Sequence, residues 1–435
     1  MALVEDLVAN FRLFSICFAV VHGALGAMLQ YATSLLPDGC GSTGNGIFYA
    51  MSVVSSLLLA LPALMLLGRK GCTLIGFILY SLYAALFTIA LMLPAGRDEA
   101  CGSGSYLFWL GSCCGGCGAG LLWTAQGSYF SRTTFLLNQA GLQDQGVSLA
   151  GMFAGIYLLG EFLLKALYTV FDYIFPSLSY LSTTACLCLA SVVASAVATF
   201  LDPLKEESAK HDLHSDRVGQ MTLQKISDFI SLWRSPLIWL LSPTNIAFGF
   251  GSAYLNGAFN QYVAAPSVGV GPLGAFGAMT VLSAALSSQA YSRLGTSFGN
   301  GLPLALGSVA MVAAAAIGST NCTGWGYWIV VVYIIWGFGR GSYESTNRAI
   351  MNDAYLPEDV DAAFANFTFQ QCVAASAAYF VNSTVLSVIA TAGFAAASVP
   401  AYAAAKRWFS QHDREDESEQ MNLLSQAPAI GRLAS

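Results

Sequence analysis

Two stretches decide how this chain is built: Trp123-Thr-Ala-Gln126-Gly127-Ser128-Tyr129-Phe130-Ser131 and Trp336-Gly-Phe-Gly-Arg340-Gly341-Ser342-Tyr343-Glu344-Ser345. Both contain Gly-Ser-Tyr-x-Ser, and they stand about half the chain apart. Each sits within an apolar run of roughly 20 residues, the length an α-helix needs to cross hydrocarbon. The same segment at the same place in two halves is the mark of an internal duplication.

Composition supports spans of this kind. Of 435 residues, 56% are hydrophobic and 10% charged, against roughly 25% charged in a soluble domain. One soluble core could not hide that much apolar surface. In lipid, backbone groups must be satisfied internally, which leaves helices or closed barrels, and the runs here are too long and unalternating for barrel strands. Working outward, the hydropathy pattern predicts spans at 11–34, 46–67, 72–94, 106–130, 148–171 and 177–200, then at 236–258, 270–291, 300–318, 325–346, 363–383 and 385–404. The two Gly-Ser-Tyr segments fall in the fourth and tenth. The fold class is therefore an all-α membrane protein of twelve transmembrane helices in two related halves, the parallel-repeat arrangement of the major facilitator superfamily. The short basic loops Gly68-Arg69-Lys70-Gly71 and Ser292-Arg293-Leu294-Gly295 also stand in equivalent places. The expected domains are a first bundle over 1–200, a connector over 201–235, a second bundle over 236–405 and a disordered tail over 406–435. In the connector, Ile226, Phe229, Ile230 and Trp233 recur at helical spacing, the pattern of a helix lying in the membrane interface.

Charge placement orients the chain. There are 18 Lys and Arg in all. With cytosolic termini, Arg69, Lys70, Arg132, Lys205, Lys210, Arg217, Lys225, Arg234, Arg293 and Arg348 fall in cytosolic loops, and only Arg97 falls opposite. Glu5 and Asp6 ahead of the first span make a poor secretory signal, so that span is expected to stay as an anchor. Sequons at Asn321 and Asn382 fall in non-cytosolic loops, whereas Asn366 falls on the cytosolic side. Cys40, Cys101 and Cys322 are also placed outside the cytosol, where a Cys40–Cys101 bridge is one option. The net charge of −6 and the lack of a basic block argue against nucleic-acid binding.

Gly118-Ala-Gly-Leu-Leu-Trp123-Thr-Ala-Gln-Gly-Ser-Tyr129 resembles the span-four signature of the Unc-93-like family, a branch of the major facilitator fold. Gly68-Arg-Lys-Gly with Leu79-Tyr-Ser-Leu-Tyr83, Trp336-Gly-Phe-Gly with Asn347, and Ala362-Ala-Phe-Ala-Asn-Phe367 with Phe369-Gln-Gln are similar to further family segments. Arg340 stands where that family usually carries an acidic residue. The resemblance implies a non-enzymatic membrane protein, either transporter-like or a regulator or trafficking partner of a channel or receptor.

Ionisable groups inside spans are costly and mark function by default. Glu161 and Lys165 lie four apart on span five, as do Arg340 and Glu344 on span ten, so each pair can neutralise itself on one helical face. They are expected to line a polar pathway, and a structural ion pair is the rival reading. His22, Gln126, Tyr129, Asn256 and Asn260 are the other pathway candidates, with packing favoured for His22 and helix-to-helix hydrogen bonding as the rival for the span-seven asparagines. Cys114-Gly-Gly-Cys117 and Gly151-x-x-x-Gly155 read as close-packing seams, and no metal or cofactor is expected. Glu419, Leu423 and Leu424 form an acidic dileucine pattern of the kind that sorting adaptors read. The two functions in view are transmembrane transport of a small solute or ion by alternating access, and regulation of a channel or receptor. The membrane is the plasma membrane or an endosomal, lysosomal or vacuolar one.

Overall fold

The computed structural model describes residues 2–93, 101–142, 145–175, 180–204, 215–355 and 359–426, with the side chains of 2–3, 145, 147, 215–218 and 410–426 excepted. Among the described residues there is helix and no strand. The helices are α1 (Ala2–Leu35), α2 (Cys40–Val54), α3 (Ala60–Met92), α4 (Ser103–Gln139), α5 (Gln145–Ile174) and α6 (Tyr180–Val197) in the first half. A connector helix α7 (Ser215–Ser231) follows. The second half has α8 (Pro236–Leu240), α9 (Ser242–Tyr254), α10 (Ala265–Val268), α11 (Leu273–Phe298), α12 (Gly301–Gly318), α13 (Val330–Ser342), α14 (Arg348–Ala354), α15 (Val360–Val381) and α16 (Thr384–Gln426). Widened π turns at Ser55–Leu59, Leu255–Ala264 and Tyr343–Asn347 join α2 to α3, α9 to α10 and α13 to α14.

Nine of the described helical stretches are long and apolar enough to cross a membrane. One of them, Cys40–Met92, has 53 residues. Straight, it would be about 80 Å long, far beyond a hydrocarbon core of roughly 30 Å. Gly68, at φ 71°, breaks it into two spans in a conformation that a Cβ would disfavour. Two more spans are α8 to α10, divided by Pro243 and the π turn, and α15, whose Asn366, Gln370, Gln371 and Ser376 dilute its apolar character. Twelve spans result. Gly299, at φ 77°, breaks the chain between α11 and α12 as Gly68 does in the first half. This places the second turn a few residues beyond the expected 292–295, because nothing before Gly299 stops the helix and Gly295 costs it only about 1 kcal/mol.

The duplicated segments occupy matching places. Tyr129 on α4 stacks on Phe14 of α1 at 4.7 Å, and Tyr343 after α13 stacks on Phe248 of α9 at 3.8 Å. Trp123 meets Phe18 of α1 at 4.9 Å, and Trp336 meets Phe248 at 5.9 Å. In each half, the repeated Tyr and Trp thus clasp that half's first span.

Large apolar side chains such as Leu66, Leu189, Val309 and Ile389 stand exposed around the bundle, as a lipid-facing surface requires. Trp328, Tyr327 and Tyr173 near one end, and Trp233, Trp239 and Phe298 near the other, are exposed aromatics of the sort that settle at headgroup level. Cys40 and Cys101 form a disulfide with Cα atoms 5.9 Å apart, tying the start of α2 to the approach of α4. The connector helix is docked by its C-terminal end. Phe229 is buried against Phe369, the Trp233 indole donates to Asn366 Oδ1 at 2.7 Å, and Asn366 Nδ2 donates to the Phe229 carbonyl at 3.0 Å. Backbone helix continues from the last span to Gln426, into the stretch expected to be disordered. An existing helix needs no new nucleus, and the Glu, Gln, Lys and Arg there propagate it readily. Arg97, Lys205 and Lys210 lie outside the described residues, as do the side chains of Arg217, Glu419, Leu423 and Leu424.

Candidate functional site

Helix α5 presents Glu161 and Lys165 on one face, with Lys165 Nζ 2.9 Å from Glu161 Oε1. Helix α13 ends at a π turn that sets Glu344 one turn beyond Arg340, whose Nε donates to Glu344 Oε1 at 2.7 Å. These two local pairs were legible from their spacing. Their union was not. Arg340 Nη1 and Nη2 also donate to Glu161 Oε1 and Oε2 at 2.9 and 2.8 Å, a two-pronged grip across the two halves of the protein. The side chains of Glu161, Lys165 and Arg340 are 6%, 8% and 11% exposed, and that of Glu344 is 23% exposed. The quartet carries no net charge, which is how four ionised groups can be held in so dry a place.

The quartet lines a cavity of about 1150 Å³ between the halves. His22, Gln126 and Asn256 line it too, together with the aromatic rings of Trp123, Tyr157, Trp336 and Tyr343. The His22 ring sits among Phe18, Trp123 and Tyr157 at centroid distances of 5.6, 5.3 and 5.4 Å. Its Nε2 is 3.4 Å from the Tyr157 hydroxyl, and Nδ1 has no partner. Arg348, read in the sequence only as a loop charge, lines the same cavity and lies over the Phe367 ring at 6.0 Å. Gln289 and Gln371 add uncharged polar groups.

The cavity is sealed at the end carrying the disulfide. There the Tyr31 and Tyr168 rings stack at 3.8 Å, and the Gly271 carbonyl accepts from the Tyr31 and Thr169 hydroxyls at 3.2 and 2.7 Å. Thr33 Oγ1 donates to the Asn256 carbonyl at 3.1 Å. Asp38 Oδ1 accepts from Gln261 at 2.8 Å and from the Tyr262 hydroxyl at 2.6 Å. The glycines mark the seal. A Cβ on Gly274 would lie 2.3 Å from the Lys165 carbonyl oxygen, and one on Gly277 would lie 2.0 Å from Gln30 Oε1. Toward the end bearing the termini, the walls continue to Ala150, Gln289 and Arg348, all of them exposed. Gly151 and Gly155 meet no atom within 4 Å of an added Cβ. The packing seam expected at these two glycines is therefore absent. They line open space, because α5 and α11 approach at Lys165 and Gly274 and diverge from there. Gly116, by contrast, is tight, with its Cβ position 2.4 Å from the Phe48 carbonyl oxygen, as close packing around Cys114 and Cys117 requires.

Other expected pathway residues are turned to packing. Tyr129 is fully buried and accepts from Asn10 Nδ2 at 2.6 Å. Asn260 is fully buried, donates to the Gln30 carbonyl at 3.1 Å and accepts from the Tyr333 hydroxyl. Neither lines the cavity, because helix rotation points them into interhelical contacts. Asn245 joins Asn347 to Gln370 by two hydrogen bonds of 2.7 Å, the helix-to-helix reading. Of the two sequons, Asn321 is exposed, and its Oδ1 accepts from Thr323 at 2.6 Å. Asn382, at φ 46°, is half-buried and uses both ends of its amide, accepting from Ser42 at 3.1 Å and donating to Tyr262 at 3.3 Å.

No protein-family model matches the sequence, and no curated protein sequence matches it. Solved structures do resemble it. The nucleoside transporter NupG superposes with a TM-score of 0.63 at 14% identity, covering 93% of this chain and 99% of its own. A bacterial homologue of the human drug peptide transporters PepT1 and PepT2 gives 0.65 at 12% identity, covering 94% and 99%. Tetrameric PepTSo2 gives 0.63 at 13% identity, covering 94% and 99%. The likeness runs over nearly the whole of both chains, and the chain has the major facilitator fold.

Proposed function

We propose that this protein moves a small solute across a membrane by alternating access. The observation that carries this reading is the cavity between the halves. It is sealed at one end and open at the other, and at its centre lies an ion network whose members come from both halves. Rocking of one half on the other about such a network would expose the cavity to each side in turn. Glu161 and Arg340 hold the halves together in the present state, and loosening their contact lets the halves reorient. The fold shared with nucleoside and peptide transporters supports the same reading. The steep Lys and Arg bias supports cytosolic termini, so the open end faces the cytosol. The Unc-93-like resemblance of 118–129 supports placing the chain in that branch of the superfamily.

The test is counterflow in proteoliposomes loaded with a mixture of labelled metabolites, with uptake read by mass spectrometry. At least one solute is expected to exchange, and Glu161→Ala or Arg340→Ala should lower its flux at least tenfold in folded protein. Wild-type flux in both variants, or no exchange of any solute by well-folded protein, would refute the reading.

A further inference from the structure

The charges that line the cavity do not cancel. Lys165, Arg340 and Arg348 supply three cations, whereas Glu161 and Glu344 supply two carboxylates. Both carboxylates are engaged by Arg340, and Glu161 is shared with Lys165. Arg348 is the cation left over. No described carboxylate pairs with it, its side chain is exposed, and its guanidinium lies over the Phe367 ring. Five donors in a planar fork thus line the cavity with no carboxylate among the described residues to meet. The surrounding walls are aromatic, with Phe364, Phe367 and Tyr343 near Arg348 in sequence or space and Trp123, Tyr157 and Trp336 further along the cavity.

We propose that the cavity binds a monovalent organic anion with a flat apolar body, its charged group taken up by Arg348 and its body lying on the aromatic walls. This rests on the transport reading above and names the substrate class. The physical reason is the balance of charge in a confined site. A monoanion pairs with Arg348 and brings the cavity to neutrality, a neutral solute forgoes that pairing, and an organic cation raises the excess to two. A charged group held by a guanidinium also gains hydrogen bonds about twice as strong as neutral ones. The aromatic faces then contribute area burial to whichever body follows.

Three probes sharing one phenyl body separate the alternatives: 3-phenylpropionate, 3-phenylpropanamide and 3-phenylpropylamine. Binding to the purified full chain is measured by equilibrium dialysis, with thermal stabilisation as a second readout. The carboxylate should bind at least about tenfold more tightly than the amide, the difference expected of one charge-assisted hydrogen bond. The amine should bind weakest. Arg348→Gln should erase the advantage of the carboxylate, and Arg348→Glu should turn the preference toward the amine, both without loss of folding because Arg348 is exposed and lies over the Phe367 ring at 6.0 Å. Equal binding of carboxylate and amide, or an unchanged carboxylate affinity in Arg348→Gln, would overturn the assignment of substrate class while leaving the transport reading intact. Saturable binding of none of the three would also overturn it. The transport reading itself stands or falls on the counterflow experiment, which makes no assumption about charge.

Discussion

Removing Glu161 should cost this protein more than removing Arg340, although the two are partners in one ion pair. Glu161→Ala strips the only carboxylate from Lys165 and two of the three hydrogen bonds from Arg340. Both cations are nearly dry, at 8% and 11% exposure. Leaving a buried charge without its partner costs about 3–5 kcal/mol. Arg340→Ala is milder. Glu161 keeps Lys165 at 2.9 Å, and the stranded Glu344 is already 23% exposed and can turn further into the cavity. That variant should lose about 1–2 kcal/mol, near the value of a charge-assisted hydrogen bond whose partner can rehydrate. The assay is reversible unfolding in bicelles by steric trapping, which reads free energy without harsh denaturant. A cost for Arg340→Ala equal to or above that for Glu161→Ala would refute the charge assignment in the quartet. It would mean that Lys165 does not depend on Glu161 and that the network is not shared as described.

Other outcomes follow from the same geometry. Gly274→Ala places a methyl 2.3 Å from the Lys165 carbonyl oxygen, so it should destabilise by about 1–3 kcal/mol through overpacking, and thermal unfolding would check it. Gly155→Leu meets open space, so it should leave thermal stability unchanged or slightly higher, yet abolish counterflow by wedging the open end. Cys101→Ser opens a bridge spanning 61 residues of chain and should cost about 2–4 kcal/mol, with non-reducing gel mobility confirming the loss. Of the two sequons, Asn321 is exposed and held only through its Oδ1 by Thr323, whereas Asn382 is held at both ends. On expression in a glycosylating host, Asn321→Gln should remove any glycosidase-sensitive mass shift, and Asn382→Gln should not.

Much of the fold was legible in the chain because lipid imposes simple demands on sequence. A span must be about 20 apolar residues with its backbone satisfied internally, so twelve spans could be counted one by one. The repeat at Trp123–Ser131 and Trp336–Ser345 reported the two halves, and in the structure it proves to be the contact by which Tyr129 and Tyr343 grip the first span of each half. The pairs Glu161–Lys165 and Arg340–Glu344 were equally legible, since four residues make one helical turn whatever surrounds the helix.

The tertiary structure decided what those local rules leave open. That Glu161 belongs to Arg340, 179 residues away, depends on how α5 and α13 are rotated and tilted toward each other. The same rotations put Asn260 and Tyr129 into packing, opened Gly151 and Gly155 to the cavity and brought Arg348 from a supposed loop to its wall. Helical spacing fixes which residues share a face. Only the crossing of helices, set by many side chains at once, fixes what that face meets.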